Sequence, residues 1–150
     1  MDLILWRHAE AEDGKPDLQR ELTAKGRKQA QRMAEWLLQR LPDSYTLVAS
    51  PAARAQQTAE ALGRKFRTEP SLAPGASVAK LLQAAQWPDH KGLVILVGHQ
   101  PDLGRAAAQI VSGAPGSWSL KKGGLWWLSN RLRDEEDQVV VRAVVSPDLL

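Results

Sequence analysis

The sequence predicts an α/β fold with a mostly parallel sheet, and two features of the chain indicate it. Three short apolar runs, at 3–6, 47–49 and 93–97, have the length and continuous hydrophobicity of strands that are buried on both faces. Segments with helical spacing separate these runs. The tail carries two further strand-like runs, at 125–128 and 139–145, and the charged turn between them indicates a hairpin. We therefore expect a three-layer α/β/α sandwich with a mixed sheet.

Capping residues, prolines and glycines predict where the helices begin and end. Thr23 can cap a helix whose apolar side chains recur at helical spacing until Pro42 stops it. Ser50 is expected to cap a second helix, and Pro51 to occupy its first position. This helix should end at Gly63. The other predicted helices lie at residues 78–87 and 101–113.

Length and composition are those of one globular domain spanning residues 1–150. Hydrophobic residues make up 43% of the chain, enough for a core, and no cysteine is available for disulfides or thiolate metal sites. No apolar stretch is long enough to cross a membrane, and the first residues lack a secretory signal, so we expect a cytoplasmic protein. The basic residues behind the net charge of +3 are interspersed with acidic ones, which argues against nucleic acid as a partner.

Histidine and arginine side chains follow the ends of all three predicted parallel strands. Arg7 and His8 follow the first strand, Arg54 lies just after the second, and His99 follows the third. Ligands of open α/β sheets bind at the carboxyl ends of strands, so we expect these four side chains to surround one anion. The free N–H groups of the helix that carries Arg54 favour the same ligand. A three-histidine metal site is not expected, because no carboxylate cluster with ligand spacing accompanies the histidines.

Several short motifs surround these residues. They are Arg7-His8, Arg20-Glu21-Leu22-Thr23 with Gly26, Ser50-Pro51 with Arg54 and Gln57-Thr58, and Gly98-His99. Together they resemble the histidine phosphatase superfamily, with its phosphoglycerate mutase-like fold, and are most similar to its SixA-type phosphohistidine phosphatases. The likeness covers nearly the whole chain. One departure is Ala9, where the superfamily usually has a glycine after the histidine.

The resemblance implies a hydrolase that needs no cofactor and no metal. His8 is the candidate nucleophile, which forms a phosphohistidine that water later hydrolyses, and His99 would donate to the phosphoryl oxygens. Arg7 and Arg54 would compensate the charge of those oxygens, because guanidinium groups are planar and permanently charged. Their charge also disfavours protonation of the nucleophile. Arg20 is a candidate for a further phosphate or substrate contact.

The general acid of mutase-like relatives is missing from this sequence. Those proteins carry a glutamate after the second helix, whereas residues 71–87 contain neither Asp nor Glu. Glu10, Glu12 and Asp17 in the first loop are candidate substitutes. A missing acid favours phosphohistidine over a phosphate ester with a poor alcohol leaving group, because the P–N bond broken resembles the one formed on His8.

The length of the chain indicates how substrate reaches the site. Only about thirty residues separate the Arg54 helix from the His99 strand, which leaves room for one helix but not for a sizeable lid. We therefore expect an open site in a monomer that acts on a phosphohistidine-carrying protein domain, with no membrane partner.

Two other functions stay open at this point. The same pocket could serve a phosphatase of small phosphometabolites if the first loop supplies an acid. It could also belong to a phosphate-binding domain without turnover. The presence of both histidines argues against the second alternative, since binding alone could use arginines and helix N-termini.

Overall fold

The computed structural model describes all 150 residues and contains six strands and four α-helices. In chain order these are β1 (Asp2–Arg7), α1 (Ala24–Leu38), β2 (Thr46–Ala49), α2 (Ala53–Glu60), β3 (Arg67–Thr68), α3 (Val78–Ala85), β4 (Leu93–Gly98), α4 (Asp102–Ser112), β5 (Leu125–Arg133) and β6 (Glu136–Val145). Short 3-10 turns lie at Asp17–Gln19, Pro70–Leu72 and Pro147–Leu149. None of the helices has the length and apolar character needed to cross a membrane.

All six strands form one mixed sheet in the order β3-β2-β4-β1-β5-β6. The first four strands in this order are parallel, and the C-terminal hairpin β5–β6 joins β1 in antiparallel fashion. Arg7 at the end of β1 is paired with Gly98 at the end of β4, and the His8 N–H donates to the Gly98 carbonyl at 3.0 Å. His8 and His99 therefore leave the sheet side by side, at the carboxyl ends of its two central strands.

Helices cover both faces of the sheet, because successive strand side chains point to opposite faces. Ile4 and Trp6 of β1 belong to a core shared with α1 and α2. Leu3 and Leu5 belong to a second core shared with α3 and α4. All four side chains are at most 1% exposed, and each stabilises the fold by roughly 1.5–3 kcal/mol. The predicted three-layer α/β/α fold with a mixed sheet is confirmed.

The helix that carries Arg54 begins later than predicted. α2 starts at Ala53, with Ala52 at the capping position and no side-chain cap. The prediction that Ser50 caps this helix is wrong, because its hydroxyl accepts the Ala52 N–H in the bend before the helix and contacts His99. By contrast, Thr23 caps α1 as expected: its hydroxyl accepts the Gly26 N–H at 2.9 Å.

The C-terminal hairpin is longer than predicted. β5 and β6 continue through the charged segment 131–137, and only Asp134 and Glu135 connect them. Both residues have positive φ angles, 52° and 64°, as in a two-residue type I′ turn. Charged residues can continue these strands because both faces of the outer hairpin are exposed there. The edge strand β3 was not predicted, since its two residues are exposed and carry no apolar pattern.

Candidate active site

His8 is held as a neutral imidazole with a defined tautomer. Its Nδ1 lies 2.7 Å from the Ala9 carbonyl oxygen, which can only accept, so Nδ1 carries the hydrogen. The Nε2 lone pair accepts the Arg54 Nε–H at 3.3 Å. Burial, aided by the positive charges of Arg54 and Arg7, lowers the pKa of His8 to about 4. At neutral pH His8 thus presents an unprotonated Nε2, as a nucleophile must.

His99 lies against His8, with the two ring centroids 5.2 Å apart. Its Nε2 is 2.7 Å from the Ser50 hydroxyl, whereas its Nδ1 is buried and has no hydrogen-bond partner. Burial lowers the pKa of His99 to about 3, and the neighbouring His8 and Arg54 act in the same direction. A buried ring nitrogen without a partner is costly unless a ligand supplies one. His99 therefore has an unfilled hydrogen-bonding position inside the site.

Arg54 connects His8 to the first loop. It lies in the first turn of α2 and is 5% exposed. Nε donates to His8, Nη1 donates to the Asp17 carbonyl at 2.8 Å, and Nη2 donates to Asp17 Oδ2 at 3.1 Å. One turn further on, the Thr58 hydroxyl accepts the Ala9 N–H and donates to the Arg54 carbonyl, which fastens the residues after β1 to α2. Two of the five guanidinium N–H groups make no hydrogen bond to protein and are available to a ligand.

Arg7 supplies a second cation to the same edge of the sheet. Its Nη1 donates to the Leu120 carbonyl at 2.7 Å, and its Nε is buried without a partner. Burial lowers the pKa of Arg7, although a guanidinium stays charged throughout the physiological range. Two arginine charges thus face two neutral imidazoles, an arrangement that attracts an anion.

Arg20 reaches this group only through a carboxylate. Asp17 Oδ1 lies 3.0 Å from Arg20 Nη1, while Oδ2 of the same carboxylate pairs with Arg54. Arg20 Nε also donates to the Glu12 carbonyl at 2.6 Å. Hydrogen bonds from Arg20 and Arg54 hold the pKa of Asp17 below its usual value, so this carboxylate is an anion at neutral pH. Sequence analysis did not predict that Asp17 bridges the two arginines.

The structure brings His8, His99 and Arg54 into one cluster, with Arg7 beside it. The site is less open than predicted: His8 is 9% exposed and His99 is 3% exposed. The segment between α2 and β4 has only the short β3, one 3-10 turn and α3. The first loop covers Arg54 instead, through Asp17. No three His, Asp or Glu side chains are grouped closely enough to hold a metal ion.

Comparison with known proteins identifies the family. The family model of the histidine phosphatase superfamily (branch 1) matches residues 3–76, a range that includes Arg7, His8 and Arg54. A protein of uncharacterised function from Picosynechococcus sp. (strain PCC 7002) is 37% identical over 138 residues, which are 83% of this chain and 82% of that protein. The chain belongs to the histidine phosphatase superfamily.

Other similar proteins of the superfamily are SixA proteins. The phosphohistidine phosphatase SixA of Escherichia coli K12 is 28% identical over 122 residues, 75% of this chain and 76% of SixA. The structure of SixA from Nakamurella multipartitia matches with a TM-score of 0.80 at 25% identity, covering 97% of this chain and 95% of that one. The protein histidine phosphatase SixA in complex with tungstate matches with a TM-score of 0.77 at 25% identity, covering 99% of both chains. The resemblance to the superfamily is confirmed, and membership supports phosphatase activity.

Proposed function

We propose that this protein is a phosphohistidine phosphatase that uses His8 as its nucleophile. The observation that carries the proposal is the state of the His8 ring: Ala9 holds the hydrogen on Nδ1, and Nε2 is unprotonated and accepts the Arg54 Nε–H at 3.3 Å. In the first step the Nε2 lone pair attacks phosphorus and the substrate P–N bond breaks. Its electron pair stays on the substrate ring, which carries a hydrogen on its other nitrogen and so leaves as a neutral imidazole. In the second step water attacks, the P–Nε2 bond breaks, and inorganic phosphate leaves.

The other residues of the cluster stabilise the transferring group. Charge in such a transition state spreads over three equatorial oxygens, and catalysis consists mainly of positioning and charge compensation. Arg54 has two N–H groups without a protein partner, and Arg7 has a buried unpartnered Nε. His99 adds the unpartnered Nδ1. In this proposal, these groups donate to the oxygens of the phosphoryl group on His8 Nε2.

Two of the three candidate acids in the first loop are already hydrogen-bonded to other side chains, and this favours a P–N substrate. Asp17 is paired with two arginines, and the Glu10 carboxylate accepts the Thr23 hydroxyl at 2.8 Å. An alkoxide leaving group needs a proton from an acid. An imidazole leaving group is as weakly basic as the ring that replaces it, so the transfer is nearly balanced in free energy.

The similar proteins support the same substrate class. The Escherichia coli relative is named a phosphohistidine phosphatase, and a structural relative is named a protein histidine phosphatase and binds tungstate. Tungstate is a tetrahedral oxyanion of the same shape as phosphate. We therefore infer that the substrate of this chain is a phosphohistidine on another protein.

Steady-state hydrolysis rates test the proposal. A phosphohistidine-carrying protein should be hydrolysed much faster than a panel of sugar and glycerate phosphates. His8→Ala should lose covalent labelling and nearly all turnover while the fold is kept, because His8 lies at a loop entry outside the apolar core. The matched control is His90→Ala, a partly buried histidine whose side chain pairs with Gln86 outside the site, and it should keep the wild-type rate.

Each alternative has its own outcome. Undiminished hydrolysis by His8→Ala would disprove the nucleophilic role. A preference for sugar or glycerate phosphates would indicate a small-metabolite phosphatase. Phosphate binding without turnover of any substrate would indicate a binding domain.

A further inference from the structure

Ser50 is a fully buried residue whose hydroxyl is fixed in place next to His99. Its backbone N–H donates to the Val97 carbonyl at 3.0 Å, and its own carbonyl accepts from Gln56 Nε2 at 2.7 Å. The hydroxyl has two contacts, the Ala52 N–H at 3.2 Å and His99 Nε2 at 2.7 Å. Both hydrogen-bond partners of the Ser50 hydroxyl are therefore identified.

The direction of the Ser50–His99 hydrogen bond follows from counting donors. The Ala52 N–H can only donate, so the Ser50 oxygen accepts there and its single hydrogen is left for another partner. If that hydrogen points to His99 Nε2, the hydroxyl is fully satisfied and only His99 Nδ1–H lacks a partner. If His99 Nε2–H donates instead, the buried hydroxyl hydrogen and the Nδ1 lone pair both lack partners. Each unmet buried group costs about 1–3 kcal/mol, so the first arrangement is favoured.

We propose that Ser50 is a positioning residue that sets the tautomer of His99 and makes Nδ1–H the donor within the site. The proposal rests on the proposed function in one respect: the group that accepts the His99 Nδ1–H hydrogen bond is a phosphoryl oxygen. Such oxygens accept hydrogen bonds and never donate them, so the opposite tautomer would aim a lone pair at an anion. Ser50 thereby determines whether the second histidine attracts or repels the phosphoryl group.

Nitrogen-15 NMR of the imidazole rings at pH 7 tests the assignment without substrate. The His99 resonances are identified by their loss in His99→Gln. We expect the hydrogen on Nδ1 in the wild type, and a shift toward the Nε2–H tautomer in Ser50→Ala. A wild-type His99 with its hydrogen on Nε2 would overturn the proposal, and this measurement needs no variant of Ser50.

Turnover provides the second readout. Ser50→Ala should slow hydrolysis of a phosphohistidine protein by about 10- to 100-fold, the usual effect of removing a group that orients a functional histidine. Ser50→Thr keeps the hydroxyl and should restore both the tautomer and most of the rate. A Ser50→Ala variant that keeps the wild-type tautomer of His99 and full activity would contradict the proposal. A wild type that shows the expected tautomer but hydrolyses no phosphohistidine would contradict the proposed function and leave the Ser50 assignment supported.

Discussion

Ala9 is the residue at which this chain departs from the pattern of its superfamily, and the structure shows why alanine is accepted. Glycine is required only where φ is positive or where another group leaves no room for a Cβ. Ala9 is not among the residues with positive φ. The local contacts of Ala9 come from its backbone: the N–H donates to the Thr58 hydroxyl, and the carbonyl oxygen fixes the tautomer of His8. The methyl group is buried with Leu22 and Ala30.

Leaving-group dependence is the prediction that follows from the state of Asp17. Because its pKa is held down by Arg20 and Arg54, Asp17 cannot donate a proton at neutral pH. Rates on phosphate esters should therefore fall steeply as the pKa of the leaving group rises, with activated aryl phosphates far ahead of alkyl phosphates. The measurement is a graded ester series on the wild type.

Carboxylate variants of the first loop provide the control for this series. Glu10→Gln, Glu12→Gln and Asp17→Asn should each keep the steep dependence of the wild type. A flat dependence in the wild type that becomes steep in one variant would identify that residue as a general acid and end the acid-free mechanism.

The residues of the site differ in how well the sequence predicts them. His8 and His99 lie at the ends of apolar runs and Arg54 lies in the first turn of the helix after such a run, so the predicted strand ends indicate all three. Ser50 was assigned to the helix cap because a serine before a proline is a typical helix start. Asp17 was only one of several carboxylates in a loop without periodicity, and nothing in such a segment tells which of them meets an arginine 37 residues away.

At the scale of elements, the close packing of α1 against the first loop is set by Gly26. This glycine is buried in the first turn of α1, and a Cβ there would collide with the carbonyl oxygen of Glu10. The Glu10 carbonyl also accepts the Thr23 N–H at 3.0 Å, so the loop is fixed at this point. The loop in turn carries Asp17 to Arg54. A small residue in a helix thus determines where a loop of the site lies.

Gly26→Ala should destabilise the protein, although the same change in an exposed helix stabilises it by about 1 kcal/mol. The added methyl group forces the loop away at a cost of roughly 1–3 kcal/mol, as in other overpacked sites. Urea unfolding measures the loss, and turnover should fall with it. Lys28→Ala, an exposed substitution in the same helix, is the control and should leave both unchanged. A Gly26→Ala variant more stable than the wild type would show that moving the loop costs less than the helix gains, and would contradict the prediction.

The elements that the sequence predicted well are those with a buried face. β1 and β4 are apolar throughout, and α4 ends at Gly113, which has a left-handed φ of 75°. The extent of the hairpin was underestimated because its outer part is exposed and charged, so it lacks an apolar pattern. Its two-residue turn uses Asp134 and Glu135 where glycine or asparagine is the usual signal.

At the scale of the whole molecule, the order of strands explains why distant residues meet. β1 and β4 are adjacent and parallel, and β2 lies on the other side of β4. α2, which follows β2, and α4, which follows β4, cover opposite faces of the sheet. In open α/β sheets, connections that diverge in this way do so at the carboxyl ends of neighbouring strands, where ligands bind. His8, Arg54 and His99 meet at this edge because each follows one of the three strands.

The burial of two neutral histidines makes the stability of the whole molecule depend on pH. The pKa of His8 is lowered by burial to about 4, and that of His99 to about 3, whereas both have an ordinary value of 6.5 in the unfolded chain. Between pH 6.5 and these lower values the unfolded chain binds protons that the folded protein does not. This contribution to the free energy of unfolding is therefore fully present above pH 6.5. It is lost as the pH drops below 6.5, by up to about 1.4 kcal/mol per pH unit for each histidine.

Free energies of unfolding measured in urea at pH 7.5, 6 and 5 check this prediction. Carboxylates interfere little in that range, because the groups whose pKa the fold lowers have ordinary values of 3.8 to 4.5 and add to the loss mainly below pH 5; they are Asp2, Asp17, Glu69 and Asp148. His8→Gln and His99→Gln should each reduce the loss between pH 7.5 and 5, since glutamine cannot take up the proton. The partly buried His90, which pairs with Gln86, provides the control: His90→Gln should keep the wild-type dependence. Equal losses in all four proteins would show that the two histidines are not held neutral by the fold, and would remove the basis for an unprotonated His8 nucleophile.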